Sequence, residues 1–288
     1  MTQYLRPSTI EQAVQLLSAR DDLVVLAGGT DVYPARTARA AWGAFDRRAI
    51  LDVSKLSELR GIEDRGDHWW IGALTTWSDI ARALLPPVFD ALKSAAREIG
   101  GVQIQNRGTI GGNLCTASPA ADSIPCLLTL DAEVELAGAE PTIVPLSQFL
   151  RGYRKTVLGE SRGLLTGVHI PKQSGVSVFR KLGTRRYLVI SIAVIAGVVD
   201  LDADGRVRTA RVAIGACSVT AQRLTSLEDA LRGNRLDPTL VESHHFSNLE
   251  PIDDVRASAA YRRHAAMQLT RDAVAELASR TKLGGAHA

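Results

Sequence analysis

The stretch from Thr109 to Leu136 reads TIGGNLCTASPAADSIPCLLTLDAEVEL, and its texture changes as it runs. It opens on Thr109, Ile110, Gly111, Gly112 and Asn113, with Gly108 just before. So much glycine with so little periodicity predicts a loop over this first part, because glycine loses more backbone freedom in a helix than other residues. Such a loop can bring successive backbone N–H groups up to a phosphate. Thr109, Asn113, Ser118 and Asp122 offer hydroxyl, amide and carboxylate groups for sugar hydroxyls. Asp122 stands where a helix opens, over Ala121 to Leu130, so its carboxylate can also act as a cap. Ala132 to Leu136 then alternates like a strand.

Upstream lies a second glycine cluster. LVVLA (Leu23 to Ala27) reads as a short buried strand running into Gly28-Gly29-Thr30-Asp31. This is not the G-x-G-x-x-G dinucleotide fingerprint, and taken alone AGGTD is more often a tight structural turn. Two such loops in one region raise the joint reading to a bound dinucleotide, with Gly111 and Gly112 kept small for close ligand approach.

Working outward, Ser8 or Thr9 caps a first helix, and Gln12 falls three residues after Thr9 as in a capping box. Strands are predicted at Ile50 to Val53, Trp69 to Ala73 and Leu164 to Ile170, and helices at Thr76 to Leu85 and Phe89 to Ile99. A domain boundary falls near Lys172 to Gly175. Beyond it, Ser177 to Lys181, Ile190 to Leu201 and Val207 to Ala216 read as strands, with Asp202 to Gly205 turning between the last two. Helical patterns follow at Ser226 to Leu231, Pro238 to His245 and Ser258 to Ala278. The division is 1–173, 174–280 and a Gly/Ala-rich tail at 281–288, the first part holding two α/β subdomains.

Bulk properties exclude several functions. The 288 residues carry 34 Lys and Arg against 31 Asp and Glu, a net +3 too weak and scattered for a nucleic-acid surface. Cys115, Cys126 and Cys217 form no CxxC, no zinc pattern and no iron–sulfur ligand set. The six histidines are scattered, and His244-His245 are expected to point apart on a helix. No metal site and no catalytic acid, base or nucleophile is expected. The longest apolar run, Leu188 to Val199, is too short to span a bilayer, and no secretion signal precedes it. A soluble cytoplasmic protein is expected. Phe179 to Tyr187 (FRKLGTRRY) gathers cations that suit either a diphosphate, a partner protein or solvent, and Tyr187 is a candidate for a ring contact or a domain interface.

LAGGTD (Leu26 to Asp31) and TIGGNLCTASPAADSIPCLLTLDAEVEL resemble the FAD-binding subunits of the molybdenum hydroxylases, the xanthine dehydrogenase and carbon monoxide dehydrogenase type. The resemblance continues through FRKLGTRR (Phe179 to Arg186), RVAIGACSVTAQRLTSLEDALRG (Arg211 to Gly233) and DVRASAAYRRHAAMQLTRDAV (Asp254 to Val274). It covers almost the whole chain. It implies an α+β fold: a vanillyl-alcohol-oxidase-type (PCMH-like) FAD-binding domain, then a smaller C-terminal domain of antiparallel sheet and helices. It implies FAD contacts at Leu26, Ala27, Gly28, Gly29, Thr30 and Asp31, where the diphosphate is wrapped, and at Thr109, Ile110, Gly111, Gly112 and Asn113. Further contacts are implied at Ser118, Asp122 (near the ribose), Lys181, and Leu164 or Leu165 near the ring.

The resemblance also implies partners: a large molybdopterin-binding subunit and a small subunit with two [2Fe–2S] clusters, neither of which this chain has the residues or length to hold itself. Electrons would pass from those clusters through FAD to NAD or another small-molecule acceptor, with a purine such as xanthine the best substrate reading. Tyr187 to Ser191 lacks the Asp that some relatives carry there, which weakens any transfer of acceptor details. Two alternatives differ in kind: a stand-alone flavin oxidoreductase of this fold, and a non-enzymatic assembly subunit with residual loops. On this reading a bulky residue at Gly111 or Gly112 blocks FAD, and Asp122→Ala loosens it with less effect on folding.

Overall fold

The structure, a computed structural model, describes residues 3–284. Its first sheet has three parallel strands, Tyr4–Leu5 (β1), Leu23–Leu26 (β2) and Ala49–Asp52 (β3), in the order β1-β3-β2. Helix Ile10–Ala19 (α1) makes the crossover and buries Ala13 and Leu17. Thr9 caps it by accepting from Gln12 N at 3.2 Å. Gln12 reaches back one residue further than a standard capping box and takes the Ser8 N–H at 2.9 Å. The glycine turn after β2 leads into Val32–Ala41 (α2), which buries no residue. Without an apolar stripe, VYPARTARAA offers no periodic signal, and the helix went unanticipated.

Asp52, the last residue of β3, ties that strand to β1. It is 2% exposed and accepts from Tyr4 Oη at 2.6 Å, Arg6 Nε at 3.0 Å and Ser54 N at 3.0 Å.

The second sheet begins with Ile62–Asp64 (β4) and His68–Gly72 (β5). Trp77–Arg82 (α3) follows, capped by a reciprocal box between Thr76 and Asp79. Next come Asp90–Glu98 (α4), Val102–Gln105 (α5), Ile110–Thr116 (α6) and Ser123–Thr129 (α7), then strands Glu133–Ala137 (β6) and Thr142–Pro145 (β7). Leu146–Phe149 (α8) precedes a small hairpin of Leu150–Gly152 (β8) and Lys155–Thr156 (β9). Leu158–Ser161 (α9) then leads to Leu164–Pro171 (β10). The sheet is antiparallel throughout, in the order β4-β5-β10-β6-β7. The expected strand at Leu164 is its centre. On its outer face Trp70 lies across Gly167, where an added Cβ would sit 2.2 Å from Trp70 Nε1.

The third sheet is Val176–Leu182 (β11), Ala193–Leu201 (β12), Val207–Gly215 (β13) and Gln222–Arg223 (β14), antiparallel and in sequence order. Thr225–Leu231 (α10) and Ala259–Gly284 (α11) follow. One face puts Ala196, Val198 and Ala213 into a core shared with Leu92 of α4 and Leu127 of α7. The other packs Ile195 and Val212 on Leu227 of α10 and Leu277 of α11. The sheet is therefore clamped between helices from both parts of the chain. The apolar run near Leu188–Val199 becomes strand β12, buried on both faces. No helix of the described residues is long and apolar enough to cross a membrane.

Three local expectations change. The glycine-rich part of the 101–116 stretch is helical, as α5 and α6, because tertiary contacts described below override glycine's poor propensity. Pro238–Leu240 and Ser243–Phe246 are single 3-10 turns; the rings of His244 and His245 sit 3.9 Å apart there instead of pointing away from each other. Helix α11 runs on to Gly284, into the stretch read as a tail, and residues 285–288 lie outside the described residues.

Candidate functional site

The two glycine loops are pressed directly against each other. A Cβ on Gly28 would lie 1.8 Å from the carbonyl oxygen of Arg107 and 3.1 Å from Gly108 Cα. A Cβ on Gly108 would lie 3.4 Å from Thr30 Oγ1. Gly28 is thus glycine because the second loop occupies the place of its side chain. Gly111 has the same explanation: its Cβ would meet Ala73 Cβ and Ala73 O, each at 2.8 Å. The sequence reading assigned this close approach to a ligand, and at Gly28 and Gly111 the structure gives it to the protein's own backbone. Gly112 differs. Its Cβ would meet only Thr109 Oγ1, at 3.0 Å, with no other atom near.

Accounting for backbone amides separates the loops further. At the start of α6, Ile110 N donates to Thr75 O at 3.0 Å and Gly111 N to Ala73 O at 2.9 Å. Gly112 N donates to Thr109 Oγ1 at 3.1 Å, and Asn113 N to Thr109 O at 3.0 Å. All four first-turn N–H groups are spent inside the protein, so the expected display of these glycine amides to a phosphate does not occur. The opposite holds upstream. Among the described residues, the N–H groups of Gly28, Gly29, Thr30 and Asp31 donate to no protein acceptor. Gly29 turns the chain through a left-handed conformation (φ +80°), and the half-buried loop forms a nest of free donors.

A polar seam runs from α6 to the third sheet. Asn113 Oδ1 accepts from Ser123 Oγ at 2.6 Å. The neighbouring Asp122 is 5% exposed. It accepts from Lys181 Nζ at 2.6 Å and from Ser191 Oγ at 2.5 Å. Burial pushes the Asp122 carboxyl up, while the Lys181 ammonium and Ser191 hydroxyl pull against it. Asp122 occupies the N-cap position of α7 without bonding its amides, so the expected capping role is replaced by this bridge between the two parts of the chain.

The remaining candidates fall in three places. Ser118 shapes a turn, with Oγ accepting from Ala120 N at 3.3 Å. Leu26, Leu164 and Leu165 are buried, and Leu164 and Leu165 open β10 just before a bulge at Leu165/Gly167. The cation cluster is largely paired: Arg180 with Glu276 at 2.8 Å, Lys181 with Asp122, and Arg185 Nη2 with the Leu188 carbonyl at 2.5 Å. Tyr187 is half exposed. Sequence reasoning missed two residues. Ser191 had a faint signal, as the one polar interruption of an apolar run. Arg154, whose Nη2 donates to Asp31 Oδ2 at 2.8 Å, had none. Among the described residues no cluster of three or more His, Cys, Asp or Glu could hold a metal ion. The three cysteines are free, Cys115 exposed on α6 and the other two buried.

These residues fit a flavin dinucleotide. A nest of four unclaimed amides suits the diphosphate. Gly112 has only the Thr109 hydroxyl against the place of its Cβ. Asn113 and Asp122 lie along one seam from there to the third sheet.

Comparison with known proteins agrees. Residues 1–173 match the family described as the FAD binding domain in molybdopterin dehydrogenase. Residues 178–277 match the CO dehydrogenase flavoprotein C-terminal domain. The chain is 31% identical to the xanthine dehydrogenase FAD-binding subunit of Escherichia coli O157:H7, over 95% of this chain and 94% of that one. It is 28% identical to the nicotine 6-hydroxylase medium subunit of Paenarthrobacter nicotinovorans, over 96% and 98%. Among solved structures, reconstituted CO dehydrogenase from Oligotropha carboxidovorans superposes with a TM-score of 0.90 at 27% identity, covering 97% of this chain and 98% of that one. The α+β architecture expected from the sequence is the one these structures share.

Proposed function

The chain belongs to the FAD-binding medium-subunit family of molybdopterin dehydrogenases, and from that premise we propose a specific division of labour among its residues. The loop Leu26 to Asp31 holds the FAD diphosphate on the free amides of Gly28 to Asp31. Thr109, Ile110, Gly111, Gly112 and Asn113 wall the cofactor from the other side, with Gly112 the glycine that faces it. Ser118 and Asp122 take sugar hydroxyls, and Lys181 and the Leu164–Leu165 pair border the ring. Bound FAD supplies the electron-carrying chemistry, and the protein supplies position and electrostatics. Lys181 Nζ and Ser191 Oγ donate to the two carboxylate oxygens of Asp122 and fix their orientation.

The subunit works beside a large molybdopterin-binding subunit and a small [2Fe–2S] subunit in the cytoplasm. It passes electrons from the clusters to NAD or another small-molecule acceptor. A purine such as xanthine is the proposed substrate of the complex, supported by the likeness to the Escherichia coli subunit.

The observation that carries this reading is the nest of unclaimed amides at Gly28 to Asp31, locked in place by the second loop. The test is the visible spectrum of the purified chain and of the co-expressed complex, before and after adding FAD and desalting. Retained bands near roughly 370 and 450 nm support it. A folded complex that takes up no flavin overturns it. Bleaching of those bands by xanthine, and not by aldehydes or N-heterocyclic acids, supports the substrate assignment; the reverse pattern replaces it.

A further inference from the structure

We propose that Arg154 is a further binding residue for the cofactor's diphosphate, held beside the amide nest by Asp31. The inference rests on the FAD reading above and assigns the site a cation delivered from the β8–β9 hairpin.

The electrostatics of the nest call for one. The α6 amides are spent, so the neighbouring helix start contributes no free donor. Asp31 places a carboxylate at the end of the nest, where it repels an incoming diphosphate. Arg107 meets the nest through its carbonyl oxygen, which adds further negative character. Arg154 brings a guanidinium to this rim, donating through Nη2 to Asp31 Oδ2 at 2.8 Å.

The way Arg154 is delivered sets it apart from an incidental surface ion pair. It comes from the β8–β9 hairpin, far along the chain from Asp31. Its own N–H donates to Ala117 O at 3.1 Å, at the end of α6. Arg154 (φ +52°) and Ala117 (φ +45°) are both non-glycine residues in the left-handed region. Ala117 ends α6 in the left-handed conformation usual at a helix C-terminus, and Arg154 takes the same conformation at the hairpin turn. The hairpin thus joins the first glycine loop to the far end of the helix that opens at the second. Arg154 commits one of its five N–H donors to Asp31. Both side chains are about half exposed (46% and 49%), so Asp31 holds the guanidinium weakly. A planar fork with donors to spare suits phosphoryl oxygens better than a single carboxylate contact.

The experiment measures FAD affinity of the apo complex by quenching of flavin fluorescence, at low and high salt, for wild type, Arg154→Gln, Arg154→Lys and Asp31→Asn, with thermal melts of each apo form. Expected are about a tenfold weaker FAD affinity in R154Q, a smaller loss in R154K, and no loss or a gain in D31N. The salt dependence of binding should be shallower in R154Q than in wild type. Equal losses in R154Q and D31N with matching drops in melting temperature would mean a structural latch, and would overturn the proposal. Wild-type affinity in R154Q overturns it too, while leaving the FAD reading intact. If wild type itself takes up no FAD, both fall together.

Discussion

Gly28→Ala puts a methyl group 1.8 Å from the Arg107 carbonyl oxygen and 2.6 Å from its carbon. An ordinary carbon–oxygen contact is about 3.3 Å, so backbone on one side or the other must move by roughly 1.5 Å. Both sides are main chain, and neither can rotate out of the way as a side chain would. The Arg107 side is further pinned, because Gly108 N and Arg107 N both donate to Ile104 O, at 2.6 and 3.1 Å. Overpacking of well-fitted interiors costs about 1–3 kcal/mol, and a clash this deep belongs at the upper end. At about 2 °C per kcal/mol for a chain of this size, the apo protein should melt about 6 °C lower. FAD affinity should fall by more than stability suggests, since the loops that part are those that hold the nest. Differential scanning calorimetry with a parallel FAD titration measures both. A G28A protein with wild-type melting temperature and wild-type FAD affinity would refute the packing argument, and with it the claim that the second loop positions the first.

Other substitutions separate the roles of the remaining groups. Gly112→Ala meets only Thr109 Oγ1, so strain on that cap should roughly cancel the ~1 kcal/mol gain in helix propensity. Its melting temperature should hold while FAD binds about tenfold more weakly; unchanged FAD affinity would show that Gly112 does not face the cofactor. Asp122→Ala leaves the Lys181 ammonium buried without its partner, so it should cost about 3–5 kcal/mol in denaturant unfolding, more than the sequence alone suggested. Adding Lys181→Met should recover much of that loss, and a double variant no better than the single would refute the pairing. At Asp52, burial pushes the carboxyl up, but hydrogen bonds from Ser54, Tyr4 and Arg6 outweigh it and hold the group at about 2. That depression favours the folded state by about 2 kcal/mol above the unfolded value near 4, and the gain vanishes as pH falls toward 2. Acid titration should therefore lose stability over that window in wild type and lack this component in Asp52→Asn.

Much of the scaffold was legible because its signals are local. The Thr9–Gln12 cap, the Asp202–Gly205 turn and the alternation of Glu133–Ala137 each depend on residues within a few positions. Helix α6 was not legible, since what makes Ile110–Thr116 helical is its seat on Ala73 and Thr75, some 35 positions earlier. Helix α2 escaped for the opposite reason: it buries no residue, so no stripe marks it. The glycines were correctly marked as special, but the sequence could not say what stands against each. At Gly28 and Gly111 it is backbone, and at Gly112 it is only the Thr109 hydroxyl. Arg154 and Asp31 lie 123 positions apart, and nothing short of the folded chain brings them together.

The Asp122 bridge has one more implication. Its carboxylate is bonded by Lys181 and Ser191, both from beyond the crossing at residues 172–175. The first 173 residues alone would leave that acid without its counter-charge and without the two groups that bond it. On the proposed reading, the cofactor pocket is therefore shared by the two halves of the chain. Its loading becomes an internal gauge of their docking: heat, denaturant or a mutation that loosens the seam should discharge flavin before either half unfolds.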